Sequence, residues 1–75
     1  MKLSARNILK GKIVEVKKGQ TTAHVRIDLG GGSIITASIT NEAVDELKLA
    51  AGQSASAVIK ASAVIKASDV MIAID

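Results

Sequence analysis

The sequence predicts an all-β protein: a five-stranded barrel with one short helix between strands 3 and 4. Three observations predict it. Apolar and polar residues alternate over most of the chain, which is the period of half-buried strands. Glycine-containing breaks separate the alternating runs. Only the stretch from Thr40 to Leu47 leaves the two-residue period for a helical one.

Ser4-Ala5-Arg6-Asn7 precedes the first patterned segment. In Lys12 to Lys18 (KIVEVKK), Val14 and Val16 fall on one face and Glu15 and Lys17 on the other. Gly19-Gln20 is a turn signal. Thr21 to Leu29 sets Ala23, Val25, Ile27 and Leu29 against Thr22, His24, Arg26 and Asp28. Gly30-Gly31-Gly32-Ser33 closes a hairpin, and Ile34 to Thr40 is a third strand with Ile35, Ala37 and Ile39 inward. Thr40 then supplies a capping hydroxyl, with acids in the turn behind it and Val44 and Leu47 three apart, so a short helix follows. Lys48 to Gln53 contains Gly52 and returns the chain to strand. Ser68-Asp69 marks one more turn, and Val70 to Ile74 is the last strand, with Met71 read as core filler.

The fourth strand is unusual. Ala55 to Lys60 (ASAVIK) is repeated at once as Ala61 to Lys66. Six is even, so an extra copy keeps every side chain on its own face. Length is the difficulty: Ala55 to Ala67 as one strand would run about 43 Å at about 3.3 Å per residue, whereas ordinary strands hold about 5–6 residues. An overhang, a looped-out copy or pairing with another chain is expected, with the surplus absorbed between Ala50 and Ser56. The order of strands and helix matches a small OB-like barrel; a five-stranded SH3-like barrel fits the helix position less well.

Seventy-five residues are one domain, residues 1–75, and too few to be more than marginally stable alone. Small domains add disulfides, a structural metal or self-association. There is no cysteine and one histidine, so self-association remains, and an oligomer is expected. No Phe, Tyr or Trp is present, which removes the stacking surfaces that single-stranded nucleic acid uses. The net charge of +3 comes from scattered basic residues and suits a small anion better than a polyanion. No leader and no long apolar run is evident, so a soluble cytoplasmic protein without membrane contact is expected. Nothing points to an enzyme. His24 has no nearby nucleophile, Glu42, Asp45 and Glu46 are acids of the short helix, and the triple glycine lacks the Lys-Ser/Thr of a phosphate loop.

The SARN start (Ser4 to Asn7), Leu9-Lys10-Gly11-Lys12, the triple-glycine hairpin, SITNEAVDEL and the closing AVIKASDVMIAID together resemble the Mop or molbindin family, over essentially the whole chain. These are molybdate- and tungstate-binding domains. The resemblance implies an OB-like fold, a cytoplasmic location, homo-oligomers (hexamers built as a trimer of dimers), and molybdate or tungstate held at subunit interfaces without an organic cofactor. Members carry one VIKA(S/T) segment, whereas this chain carries two.

Molybdate is a dianion with four acceptor oxygens, so its site needs donors: backbone N–H, hydroxyl, Lys or Arg. Charge-assisted bonds contribute about 1.5–3 kcal/mol each, and several of them reach the roughly −8 kcal/mol of micromolar binding. The resemblance places Ser4, Ala5, Arg6 and Asn7 in one part of the site; otherwise Ser4 is a cap and Arg6 is solvated. It places Lys-Ala-Ser in a second part, where lysine and serine at i and i+2 share a strand face. Lys66, Ala67 and Ser68 are the preferred copy because they keep their spacing to the last strand; Lys60, Ala61 and Ser62 are the alternative. Thr40 is the third candidate, with a plain N-cap as its other reading; the family often has serine where this chain has Ala43, so one donor is lacking.

The function expected from these residues is storage or homeostasis of molybdate or tungstate. Two other readings stand beside it: an OB-type nucleic-acid module using Arg26, Lys17 and Lys18, and an oligomerisation scaffold whose binding the duplication has abolished.

Overall fold

The computed structural model describes residues 7–61 and 65–74. They form β1 (Asn7–Lys18), β2 (Thr22–Gly30), β3 (Ser33–Thr40), α1 (Asn41–Leu47), β4 (Ser54–Ile59), a 3-10 turn (Ala67–Asp69) and β5 (Val70–Ala73). All pairings are antiparallel, in the order β3-β2-β1-β4-β5. β5 and the 3-10 turn come back against β3, which closes the sheet into the OB-like barrel that the element order predicts.

The alternation of β2 and β3 is realised as expected. Ala23, Val25, Ile27 and Ala37 are buried, and Leu29, Ile35 and Ile39 pack partly against them. Val44 of α1 and Leu49 behind it join the same core, as do Ala55, Ala57, Ile59 and Val70. Aliphatic side chains do all of this packing, since the chain has no aromatic residue.

β1 departs from its pattern. The strand begins at Asn7 rather than Lys12, and its register against β2 slips between Ile13 and Glu15. Ile13 opposes Ile27, Glu15 opposes Arg26, and Val14 is the extra residue of a bulge. Ile13 is therefore fully buried while Val14 is 45% exposed. The expectation that Val14 and Val16 share one face is corrected: a bulge consumes one residue and flips the face of what precedes it. The turn before β4 locks this geometry, because Ile13 N donates to Gln53 O at 2.9 Å and Gly52 N donates to Ile13 O at 2.7 Å. Nearby, β1 crosses β2 so closely that only glycine fits at position 11. A Cβ there would collide with the Asp28 carbonyl oxygen and lie 2.7 Å from Ile27 Cγ2.

The helix is set by its ends. Thr40 Oγ1 accepts from Ala43 N at 3.1 Å, and Glu42 lies in the first turn. At the other end Lys48 adopts φ 53°. Lys48 N donates to Asp45 O at 3.2 Å and Leu49 N to Val44 O at 3.0 Å, which is the Schellman pattern. Leu49 and Val44, the residues that this pattern brings together, are both core residues.

Two further expectations are corrected. The stretch from Ala50 to Ser56 absorbs no surplus: Gln53 N donates to Ala50 O at 3.2 Å in a tight turn, and Ser54 already opens β4. The first hexapeptide copy supplies the paired strand, so the extra residues fall between Ile59 and Ala67. Met71 is not core filler. It is 52% exposed on the outer face of β5, opposite Val58. Val58 itself is buried, so β4 is covered on both faces at that point.

Candidate functional site

Three strand ends meet in one row of the sheet. Asn7 opens β1 and pairs with Ile59, the last residue of β4; Ile59 pairs in turn with Val70, the first of β5. Asn7, Ile59 and Val70 thus share one end of the sheet, and in the sequence the SARN and Lys-Ala-Ser segments adjoin them. Asn7 is exposed. Ser4, Ala5 and Arg6 lie outside the described residues.

Of the first Lys-Ala-Ser copy, Lys60 and Ala61 follow Ile59 directly and are exposed, while Ser62 lies outside the described residues. Of the second copy, Lys66 stands at the head of the 3-10 turn, Ala67 is half-buried within it and Ser68 is exposed. The turn is held by reciprocal bonds: Lys66 N donates to Asp69 Oδ2 at 2.8 Å, and Asp69 N donates to Lys66 O at 2.8 Å. Asp69 acts here as a clamp that fixes the backbone around Ser68. The sequence reading takes Ser68-Asp69 only as a turn; the signal for the clamp is an aspartate three residues after Lys66. Val70, buried to 2% exposure, anchors the far side of this turn.

Thr40 ends β3, the strand against which the 3-10 turn lies. Its oxygen accepts from Ala43 N, as the N-cap reading expects. That bond uses a lone pair and leaves the hydroxyl hydrogen to donate elsewhere. Among the described residues no hydrogen bond joins Thr40 to Asn7, Lys60 or Ser68. The ion pairs of the described residues are Lys18 with Asp45 and Arg26 with Glu15, so neither Lys60 nor Lys66 is engaged by a carboxylate there. The described residues hold no cluster of three or more His, Cys, Asp or Glu side chains suited to a metal cation. The donors near the Asn7–Ile59–Val70 row are the Lys60 and Lys66 ammonium groups, the Ser68 hydroxyl and the Asn7 amide, the chemistry of an anion site, whereas Thr40 pairs with Thr22 at the Lys18 end of the β1–β2–β3 ladder.

Fold and donor set together define a small OB-like barrel of the ligand-binding kind. Residues 3–72 match the model of the TOBE domain. The chain belongs to the TOBE domain family and, within it, to the Mop group of molybdenum-pterin-binding proteins. It is 48% identical over 60 residues to a probable molybdenum-pterin-binding protein of Haemophilus influenzae, a match that covers 80% of this chain and 87% of that one. Its fold superposes on that of MopII from Clostridium pasteurianum with a TM-score of 0.78 at 43% identity, covering 87% of this chain and 97% of that one. It also resembles the cytoplasmic molybdate-binding protein ModG, solved with molybdate bound, with a TM-score of 0.77 at 45% identity. All of this chain is covered in that match but only 49% of ModG, so the chain spans about half of that protein's length.

Proposed function

We propose that this chain is a single Mop-like domain, residues 1–75, that binds molybdate or tungstate in the cytoplasm for storage or homeostasis. The anion sits where protomers of a homo-oligomer meet, with the hexamer as the expected assembly, and no organic cofactor or catalysis is involved. The observation that carries this reading is the Asn7–Ile59–Val70 row, a shared strand end that the SARN and Lys-Ala-Ser segments adjoin in sequence. The molybdate-binding relatives support the choice of anion.

Exposure supports the interfacial part. Lys60, Lys66, Ser68 and Thr40 are all exposed in the protomer. Donors left in water hold a dianion weakly, and a second protomer that covers them lowers the local dielectric and strengthens each bond. Lys66, Ala67 and Ser68 are the proposed copy, since the Asp69 clamp and buried Val70 preorganise them. Ser4, Ala5, Arg6, Asn7 and Thr40 complete the donor set.

Calorimetric titration with molybdate, tungstate, sulfate and phosphate tests the reading. Saturable heat with the first two and little with the others is the expected result. Lys66→Ala is expected to lose most of the affinity and Lys60→Ala little. A larger loss at Lys60 transfers the role to the first copy, and no heat with any anion refutes the function.

A further inference from the structure

The outer face of the β1–β4 ladder carries a second donor set that the reading above does not use. Lys10 pairs with Ser56 and Lys12 with Ser54, so two lysines and two serines stand side by side on one face. The same row continues to Ala73 of β5, whose single methyl leaves space beside them. An open groove of about 470 Å³ lies there, lined among others by Lys10, Gln53, Ser54, Ser56 and Ile74.

The lining is chemically one-sided. Lys10 offers an ammonium, and Ser54 and Ser56 offer hydroxyls. Gln53 Oε1 is already occupied, accepting from Ala50 N at 3.1 Å, so its amide NH₂ is what remains to donate. Among the described residues no carboxylate lines the groove. Among the described residues, register brings Asp28 to this face opposite Lys12, and its Oδ1 accepts from Gly30 N at 2.7 Å. A described lining of ammonium, hydroxyl and amide donors suits a ligand made of acceptors and carrying negative charge.

We propose that this groove is a second anion site, distinct from the strand-end site, which takes a tetrahedral oxyanion, free or as the head of a small phosphomonoester. Lys10 Nζ, Gln53 Nε2, Ser54 Oγ and Ser56 Oγ are its donors, and Lys12 adds to the local positive field. The groove is wider than one hydrated ion requires, and Ile74 gives an ester's organic part an apolar wall. The site shares no residue with the strand-end set, so the two succeed or fail separately.

Amide shifts of the ¹⁵N-labelled full chain, titrated separately with inorganic phosphate, molybdate and glycerol phosphate, test this. The amides of Gly11, Ser54 and Ser56 are expected to move and saturate in the millimolar range with at least one probe. Tighter binding of glycerol phosphate than of phosphate marks an esterified ligand, and equal binding marks the free ion. The Ser54→Ala/Ser56→Ala double variant and Lys10→Gln are each expected to raise the half-saturation concentration by about fivefold or more, with the thermal midpoint within a few degrees of the parent. Lys66→Ala is expected to abolish molybdate shifts at the strand-end site while leaving those of the groove. Absence of saturable movement at Gly11, Ser54 and Ser56 with all three probes, or movement that neither variant weakens, overturns the proposal.

Discussion

Asn7 and Ile59 face each other on the terminal rung of the β1–β4 ladder. The pairing decides how the chain uses its repeated hexapeptide. Ala55 to Ile59 of the first copy are strand, and the next described element is the 3-10 turn that begins at Ala67. The two copies are identical, so removal of either one gives the same chain, in which Lys60 is followed directly by Ala-Ser-Asp and β5. Deletion of residues 61–66 is therefore expected to keep the barrel and one complete Lys-Ala-Ser segment. Shortening the connection changes its closure entropy by only about 1–2 kcal/mol. Circular dichroism should show an unchanged strand signal and one cooperative melt, and molybdate titration should still saturate. A chain that no longer melts cooperatively would mean that both copies are needed to build the fold.

Much of this architecture is legible in the sequence. The Thr22–Gly30 and Ser33–Thr40 strands read directly because Ala23, Val25, Ile27 and Leu29, and Ile35, Ala37 and Ile39, recur at every second position and the triple glycine separates the two runs. The helix reads from Thr40 and from Val44 and Leu47. β1 does not read correctly, because a bulge is a pairing event between two strands and leaves no mark in the period of one. Met71 misleads for a similar reason: a short run of apolar residues does not say which of its faces is covered. The surplus hexapeptide is misplaced because pattern is the same in both copies, and only the register with Asn7 chooses between them. For the candidate site, the residue types are legible, but that Asn7, Ile59 and Val70 share a row is topology, which no single strand shows. The Lys10–Ser56 and Lys12–Ser54 rungs were invisible for the same reason.

The bulge makes adjacent apolar residues unequal. Ile13 is fully buried and Val14 is 45% exposed. Ile13→Ala is expected to cost about 2–5 kcal/mol, from lost burial and the cavity left behind. Val14→Thr is expected to change stability by no more than about 0.5 kcal/mol, the ordinary range for an exposed position. Urea unfolding of both variants at one protein concentration checks this. Similar costs for the two would place Val14 in the core or in a subunit contact.

Lys48 holds a left-handed conformation that suits glycine better. Its φ is 53°, while its N–H and that of Leu49 close the end of α1. A Cβ in this region is disfavoured, and glycine is the usual residue at this position of the Schellman pattern. Lys48→Gly is expected to stabilise the protein by about 0.5–1 kcal/mol, net of the greater freedom that glycine has when unfolded. The Lys48 side chain takes part in no ion pair among the described residues, so its removal opposes this little. Chemical denaturation should show a higher midpoint with an unchanged slope. A lower midpoint would mean that the lysine makes a contact worth more than the strain.

Thr40 separates a structural role from a binding role by a pair of substitutions. Its oxygen caps α1 through Ala43 N at 3.1 Å. Thr40→Ala removes that acceptor and is expected to cost about 1 kcal/mol, whereas Thr40→Ser keeps the hydroxyl and with it the cap. In the proposed site the hydroxyl hydrogen also reaches the anion. Thr40→Ala should then weaken molybdate binding by about tenfold to a hundredfold, as one lost hydrogen bond to a charged ligand implies, and Thr40→Ser should bind like the parent. The two effects are read independently: unfolding in the absence of anion gives the cap, and titration well below the melting temperature gives the ligand contact. Thr40→Ala with lowered stability but parental affinity would leave Thr40 as a cap alone and remove it from the donor set.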